Sequence, residues 1–146
     1  MKSKDIQTND LEAQFPHDGV YTRLMPSKVH EGGVGVFAIG KIPKGTHIFR
    51  GDEETELVEM DRSELTNVTL ELRKLYEDFC IIENHGRLYR CPRNFNLMTI
   101  SWYLNEPREG GRPNVRSGEN DVFYALRDIE PGEELTVDYE TYNDFE

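Results

Sequence analysis

The sequence is short of cysteine, short of basic residues and without any long apolar run, and each shortage removes a class of protein. Two cysteines, Cys80 and Cys91, in 146 residues are too few for a disulfide framework and cannot alone furnish a four-ligand zinc site. The four histidines show no ligand spacing, so no metal site is expected. No stretch approaches the ~20 apolar residues that span a bilayer. Met1 to Asp10 is polar and lacks the apolar core of an export signal. These features predict a soluble intracellular protein, cytoplasmic, or nuclear in a eukaryotic host, with no membrane partner.

Lysine and arginine number 17 against 28 acids, a formal net charge of −11 and a pI near 4.8. An acidic surface repels phosphate backbones, so direct nucleic-acid binding is disfavoured while a basic protein partner is compatible. Acidity that serves solubility alone is equally compatible.

What is present suits one domain. A chain of this length buries roughly two-thirds of its unfolded surface, enough for one core without staples. Residues 1–19 read as a polar arm, 20–142 as the domain and 143–146 as a short tail. VYTRLMPS reads as a strand ending at Pro26, followed by the glycine turn HEGGVG, the alternation VFAIGKI, the turn Pro43-Lys44-Gly45 and a second strand, THIFRG. Asp61 to Phe79 reads as one helix. Asp61 and Glu64 form a capping box, and Leu65, Val68, Leu72, Leu75, Tyr76 and Phe79 make a core-facing stripe. CIIE and RLYRC flank Asn84-His85-Gly86 as a hairpin. FNLMTISWYLN suits a short helix or a buried segment, and DVFYAL and ELTVDY read as strands around the turn Glu130-Pro131-Gly132. One long helix among short strands is not a doubly wound pattern; it implies a mostly-β fold of small sheets with one helical insertion.

Three blocks carry the chemistry: GGVGVFAIGKIPKGTHIFRGDE (32–53), SWYLNEPREGGRPNV (101–115) and ALRDIEPGEELTVDYETY (125–142). A lone Gly-x-Gly is a weak signal that most often marks a turn. In order and spacing, however, the three blocks together resemble the SET domain across roughly residues 20–142. The third block is the most specific. The resemblance implies a SET-type β-clip fold with a C-terminal pseudoknot and a protein-lysine methyltransferase that uses S-adenosylmethionine. Gly32, Gly33, Val34 and Gly35 match the family's first cofactor motif, and Asn105 and Glu106 its asparagine-histidine motif. Pro113 and Asn114 match the later Pro-Asn. Tyr139 matches the catalytic tyrosine. Tyr142 stands beside the cofactor end, and Phe49 and Tyr103 line the lysine channel. Two departures stand out: Glu106 replaces the histidine, and three further residues precede Pro113-Asn114.

A methyl sulfonium is already activated, so the implied reaction needs placement of the amine and exclusion of water. The lysine must arrive neutral although its free pKa is about 10.4, and a narrow apolar channel lowers it by desolvation. Residues 52–64 hold seven acids against Arg62, and residues 117–146 ten against Arg127. In the resemblance these flank the substrate groove, and they would attract a basic Lys/Arg-rich, histone-like tail. Residues 87–116 instead hold six arginines against two glutamates. Two other readings stand beside this one. The first is a SET-fold module that binds cofactor or basic peptide without efficient turnover. The second is a non-enzymatic β-clip module of antifreeze type, which AIGKIPKGTHI alone would fit and the tyrosine block opposes.

Overall fold

A computed structural model describes residues 19–52, 56–119 and 122–141. Strand β1 (Thr22–Pro26) turns back through residues 27–33 into β2 (Val34–Ala38), in antiparallel register from Thr22↔Ala38 to Pro26↔Val34. The strand and glycine turn read from the sequence are therefore present. THIFRG does not form the expected strand against β2. Its backbone runs instead beside a later segment, with Ile48 donating to Phe123 and Ala125 donating to Thr46, and a single bridge pairs His47 with Tyr124. The turn at Pro43 re-aims the chain away from β2: Gly45 has φ +86, and its N–H bonds Ala125 rather than a β2 carbonyl.

β3 (Leu57–Asp61) pairs with β5 (Leu88–Pro92), which also pairs with β4 (Ile81–Glu83). The hairpin between β4 and β5 is the expected one. Asn84, His85 and Gly86 all take left-handed φ (58, 57 and 84°), which asparagine and glycine tolerate best. β6 (Val115–Ser117) pairs with β7 (Phe123–Ala125), and β8 (Glu134–Leu135) adds to β2, so the first sheet runs β1-β2-β8.

The single helix expected over 61–79 is two. Arg62–Asn67 forms a 3-10 turn under the Asp61–Glu64 capping box, and α1 (Leu70–Phe79) starts anew. The break falls at Val68 (ψ 162°) and Thr69 (ψ 159°), whose hydroxyl caps α1 through Leu72 N–H. A second N-cap residue inside an apparent helix ends the first one, and β-branched Val68 and Thr69 resist helix on their own account. The expected stripe is only partly buried. Leu65 lies in the core and Val68 and Tyr76 pack against it, whereas Leu72 and Leu75 are exposed. The FNLMTISWYLN segment resolves into two 3-10 turns, Phe95–Leu97 and Ile100–Tyr103.

Two apolar clusters result. The larger gathers Val36, Ile42, Ile48, Val115, Ile129, Leu135 and Val137, each at most 1% exposed, with Phe49, Leu104 and Phe123 around them. Burying one such aliphatic side chain contributes roughly 1.5–3 kcal/mol. The smaller cluster joins Leu65, Cys80, Ile82, Tyr89 and Cys91 beneath α1. Residues 136–137 lie between two distant segments: Val137 N–H bonds Asn105 on one edge, and Thr136 C=O accepts from Asn114 and Val115 on the other. Parallel bridges pair Asn105 with Thr136 and Val115 with Val137. The last strand thus runs between the two ends of the 105–115 segment, the crossing that a C-terminal pseudoknot requires.

Candidate active site

The site is assembled where the 27–34 loop, the segment after Ile100–Tyr103 and the chain after β8 meet. The loop is folded on itself: Ser27 N–H bonds Gly33 C=O, and Gly33 N–H bonds His30 C=O, both at 2.9 Å. The Ser27 hydroxyl accepts from the N–H groups of Val29 (3.1 Å) and His30 (2.9 Å), a local side-chain turn that serine favours. Gly32 has φ +81, and no atom lies within 4 Å of where its Cβ would be. A glycine is required there by backbone conformation, and its outer face is open. Val34 is exposed and Gly33 half-buried.

Asn105, 9% exposed, ties this loop to the rest. Its amide donates to Val34 C=O at 2.9 Å, its carbonyl oxygen lies 3.4 Å from His30 Nδ1, and its backbone accepts from Val137. Asn114 is 3% exposed; its side chain accepts from Thr136 N–H at 2.8 Å and donates to Glu134 C=O at 3.0 Å. The two motif asparagines therefore clamp the last strand from opposite edges.

Tyr139 opens the 3-10 turn Tyr139–Thr141. Its hydroxyl donates to Leu104 C=O at 2.7 Å, and its backbone N–H donates to Glu106 Oε2 at 3.0 Å. Burial of the ring, and secondarily the charge of Glu106, pushes its pKa up to about 12. At neutral pH the phenol is a neutral hydrogen-bonding group, not a base. Its ring packs against the larger apolar cluster, as do Tyr103 and Tyr21. Phe49, at 9% exposure, belongs to that cluster and meets Phe123 edge-on at 6.1 Å; Tyr103 meets Phe79 of α1 at 5.5 Å.

Of the residues singled out in the sequence, Gly33, Val34, Asn105, Glu106 and Tyr139 make these contacts, Gly32 and Gly35 flank Gly33 and Val34 in the chain, and Phe49 and Tyr103 pack in the larger cluster. Tyr142 lies outside the described residues. Sequence reasoning missed Ser27, His30 and Glu134. Glu134 sits inside the most specific block, Pro-Gly-Glu-Glu-Leu, and Ser27 directly follows the strand-ending Pro26. A separate groove of about 440 Å³ on the other cluster is lined by Asp61, Arg62, Arg73, Glu77, Arg87 and Tyr89 among others, and contains none of the site residues.

A glycine loop held by an asparagine, with a partly buried tyrosine just after the strand crossing, is matched by one family profile, the SET domain, over residues 33–140. The chain belongs to the SET-domain family. Among solved structures it is similar to the methyltransferase domain of human PR domain-containing protein 2, at 23% identity and TM-score 0.50, covering 80% of this chain and 75% of that one. It is also similar to a Plasmodium falciparum protein assigned as a histone methyltransferase, at 18% identity and TM-score 0.50, covering 81% and 91%. At these identities the likeness is one of fold. No curated protein matches the chain by sequence. Among the described residues no helix of this SET domain is long and apolar enough to cross a membrane.

SET methyltransferases use S-adenosylmethionine, and the loop fits it in one respect. The open face of Gly32 lets the backbone approach a bulky ligand. Gly35, buried on β2, faces the Glu134 carboxylate and Ser27 instead.

Proposed function

We propose that this SET domain transfers a methyl group from S-adenosylmethionine to a lysine side chain of a protein substrate, most readily a basic, histone-like segment. The observation that carries the reading is the position of Tyr139, whose phenol is fixed by Leu104 C=O and whose backbone is fixed by Glu106 at the end of the strand crossing. Bound S-adenosylmethionine supplies an activated methyl group. The chain's own residues supply the rest. Residues 32–34 and Asn105 would hold the cofactor, Tyr139 would orient the reacting groups with a neutral hydroxyl, and Phe49 and Tyr103 would give the channel apolar walls. Those walls favour the neutral amine by desolvation, and fixing amine and methyl in line removes the entropic part of the barrier. The net charge of −11 draws a cationic substrate toward the surface.

The test is transfer of labelled methyl from S-adenosylmethionine to a histone mixture, with amino-acid analysis of the product. Methyl-lysine formed by the parent and not by Tyr139→Phe supports the reading, and no label on any lysine-rich substrate sinks it.

One observation favours a second reading. The Asn105 amide is already engaged by Val34 C=O, and Glu106 stands where the family carries histidine. Both suit a SET-fold module that binds cofactor or basic peptide without efficient turnover. Calorimetric binding of a lysine-rich peptide with no methyl transfer would select it.

A further inference from the structure

The sheet order β1-β2-β8 puts Glu134 on the opposite edge from β1, paired with Phe37. Yet its carboxylate reaches past the middle strand to the residues that follow β1. Ser27 Oγ donates to Glu134 Oε2 at 2.6 Å, and Lys28 N–H donates to Oε1 at 2.7 Å. The Asn105 amide approaches the same Oε2 at 3.4 Å. The side chain can cross β2 only because position 35 is glycine. A Cβ on Gly35 would fall inside contact distance of Glu134 Oε2, with the carboxyl carbon at 2.9 Å and Ser27 Cβ at 3.2 Å. Gly35 is therefore the gap in the middle strand through which one carboxylate fastens the loop from the far edge.

We infer that Glu134 is the positioning residue of the cofactor loop, and that Gly35 is glycine to admit this carboxylate rather than to admit the cofactor. The inference rests on the proposed cofactor site and extends it. Glu134 touches neither reacting group; it acts through Ser27 and Lys28, whose turn presents residues 30–34. The Ser27 hydroxyl has its single proton committed to Glu134 while its oxygen accepts from Val29 and His30. Removing the carboxylate thus releases the turn at its hub, and charge-assisted bonds of this kind are the stronger ones.

The experiment uses the full chain as parent, Gly35→Ala, Glu134→Ala, Glu134→Gln and the Gly35→Ala/Glu134→Ala double variant. Two readouts are taken: calorimetric affinity for S-adenosylmethionine, and amide hydrogen exchange of residues 28–30. Glu134→Ala is expected to speed exchange at residues 28–30 while the larger core stays protected, and to weaken the cofactor by about tenfold or more, the worth of one charged hydrogen bond. Glu134→Gln keeps one acceptor oxygen and should fall between the parent and Glu134→Ala in both readouts. Should Glu134→Ala fail to fold, the glutamine variant carries the comparison. Gly35→Ala should weaken the cofactor in the parent and add little in the Glu134→Ala background. Additive losses would show that Gly35 serves the cofactor directly, and unchanged exchange at residues 28–30 in Glu134→Ala would overturn the latch. If the parent binds no S-adenosylmethionine, the proposed function falls, and the exchange data still decide for or against the latch.

Discussion

Glu106 accepts the backbone N–H of Tyr139 at 3.0 Å, so the acid standing at the family's histidine position holds the residue that the family uses for catalysis. The departure thus makes a contact within the site, although the Glu106 side chain is exposed. Glu106→Gln keeps an acceptor oxygen and is expected to retain turnover within a few-fold of the parent. Glu106→Ala frees the backbone of Tyr139 and should lower kcat by roughly tenfold, about 1.4 kcal/mol, with KM for cofactor changing less. Equal kcat values for both variants, measured in the same methylation assay, would remove Glu106 from the mechanism.

Tyr139→Phe deletes the hydroxyl donated to Leu104 C=O and leaves the ring packed. One such bond contributes about 1 kcal/mol, so the melting temperature should fall by only about 2–4 °C. Turnover should fall by roughly a hundredfold, about 2.7 kcal/mol in the barrier. A variant that melts far lower would mean that the hydroxyl is chiefly structural. One that methylates at the parent rate would move catalysis away from it.

The same phenol predicts a pH effect on stability. Its pKa is pushed up to about 12 from an ordinary 10, so folding favours the protonated form. That contribution is fully present below about pH 10 and is lost as pH rises through about 12. Tyr76 and Tyr89 shift in the same direction through burial, so the informative quantity is the difference between parent and Tyr139→Phe. The gap between their denaturation midpoints should narrow between pH 10 and 12. A constant gap would contradict the assignment.

How much of this was legible beforehand varied with the physics of each segment. β1, the glycine turn, the β4–β5 hairpin and the 61–64 capping box follow from local chemistry, and the structure holds each of them. The break at Val68–Thr69 was also local, since Thr69 stands three residues before Leu72 as an N-cap should, but the apolar periodicity masked it. β3 was hidden because Glu56, Glu59 and Asp61 read as an acidic run, although the strand is half-exposed and pairs with β5. THIFRG looked like a hairpin partner of β2, and only its long-range bonds to residues 123–125 decide otherwise. For the site, the glycines, Asn105 and Tyr139 were visible as motif positions. Ser27 and Glu134 were not, because their partnership spans 107 positions of chain and leaves no periodic trace.

Asp52 offers a test of the wall on the other side of the larger cluster. Thr99 Oγ1 and Ser101 Oγ both donate to its carboxylate, fixing the start of the Ile100–Tyr103 turn that carries Tyr103. Asp52→Ala should cost about 2–3 kcal/mol, since two hydroxyls, one buried and one half-buried, lose a charged acceptor, and lower the melting temperature by about 5–10 °C. Asp52→Asn should recover part of this loss. A loss of under one degree in Asp52→Ala would show that the two bonds contribute nothing net.

Because residues 136–137 lie between Asn105 and Val115, the order in which the chain can fold is constrained. Strand β8 and its continuation have no slot until the 105–115 segment has bent around to form one, and that slot has no filling until the C-terminal block arrives. Neither half can reach its final hydrogen bonding alone, so the two must close together, late, and across contacts far apart in sequence. Refolding should accordingly be slow for a chain of this size, as for other topologies dominated by distant pairings. The β4–β5 hairpin and α1 should gain protection before the amides of residues 136–137 in pulse-labelled exchange. Protection of residues 136–137 ahead of the hairpin would mean that the crossing forms first and the rest assembles around it.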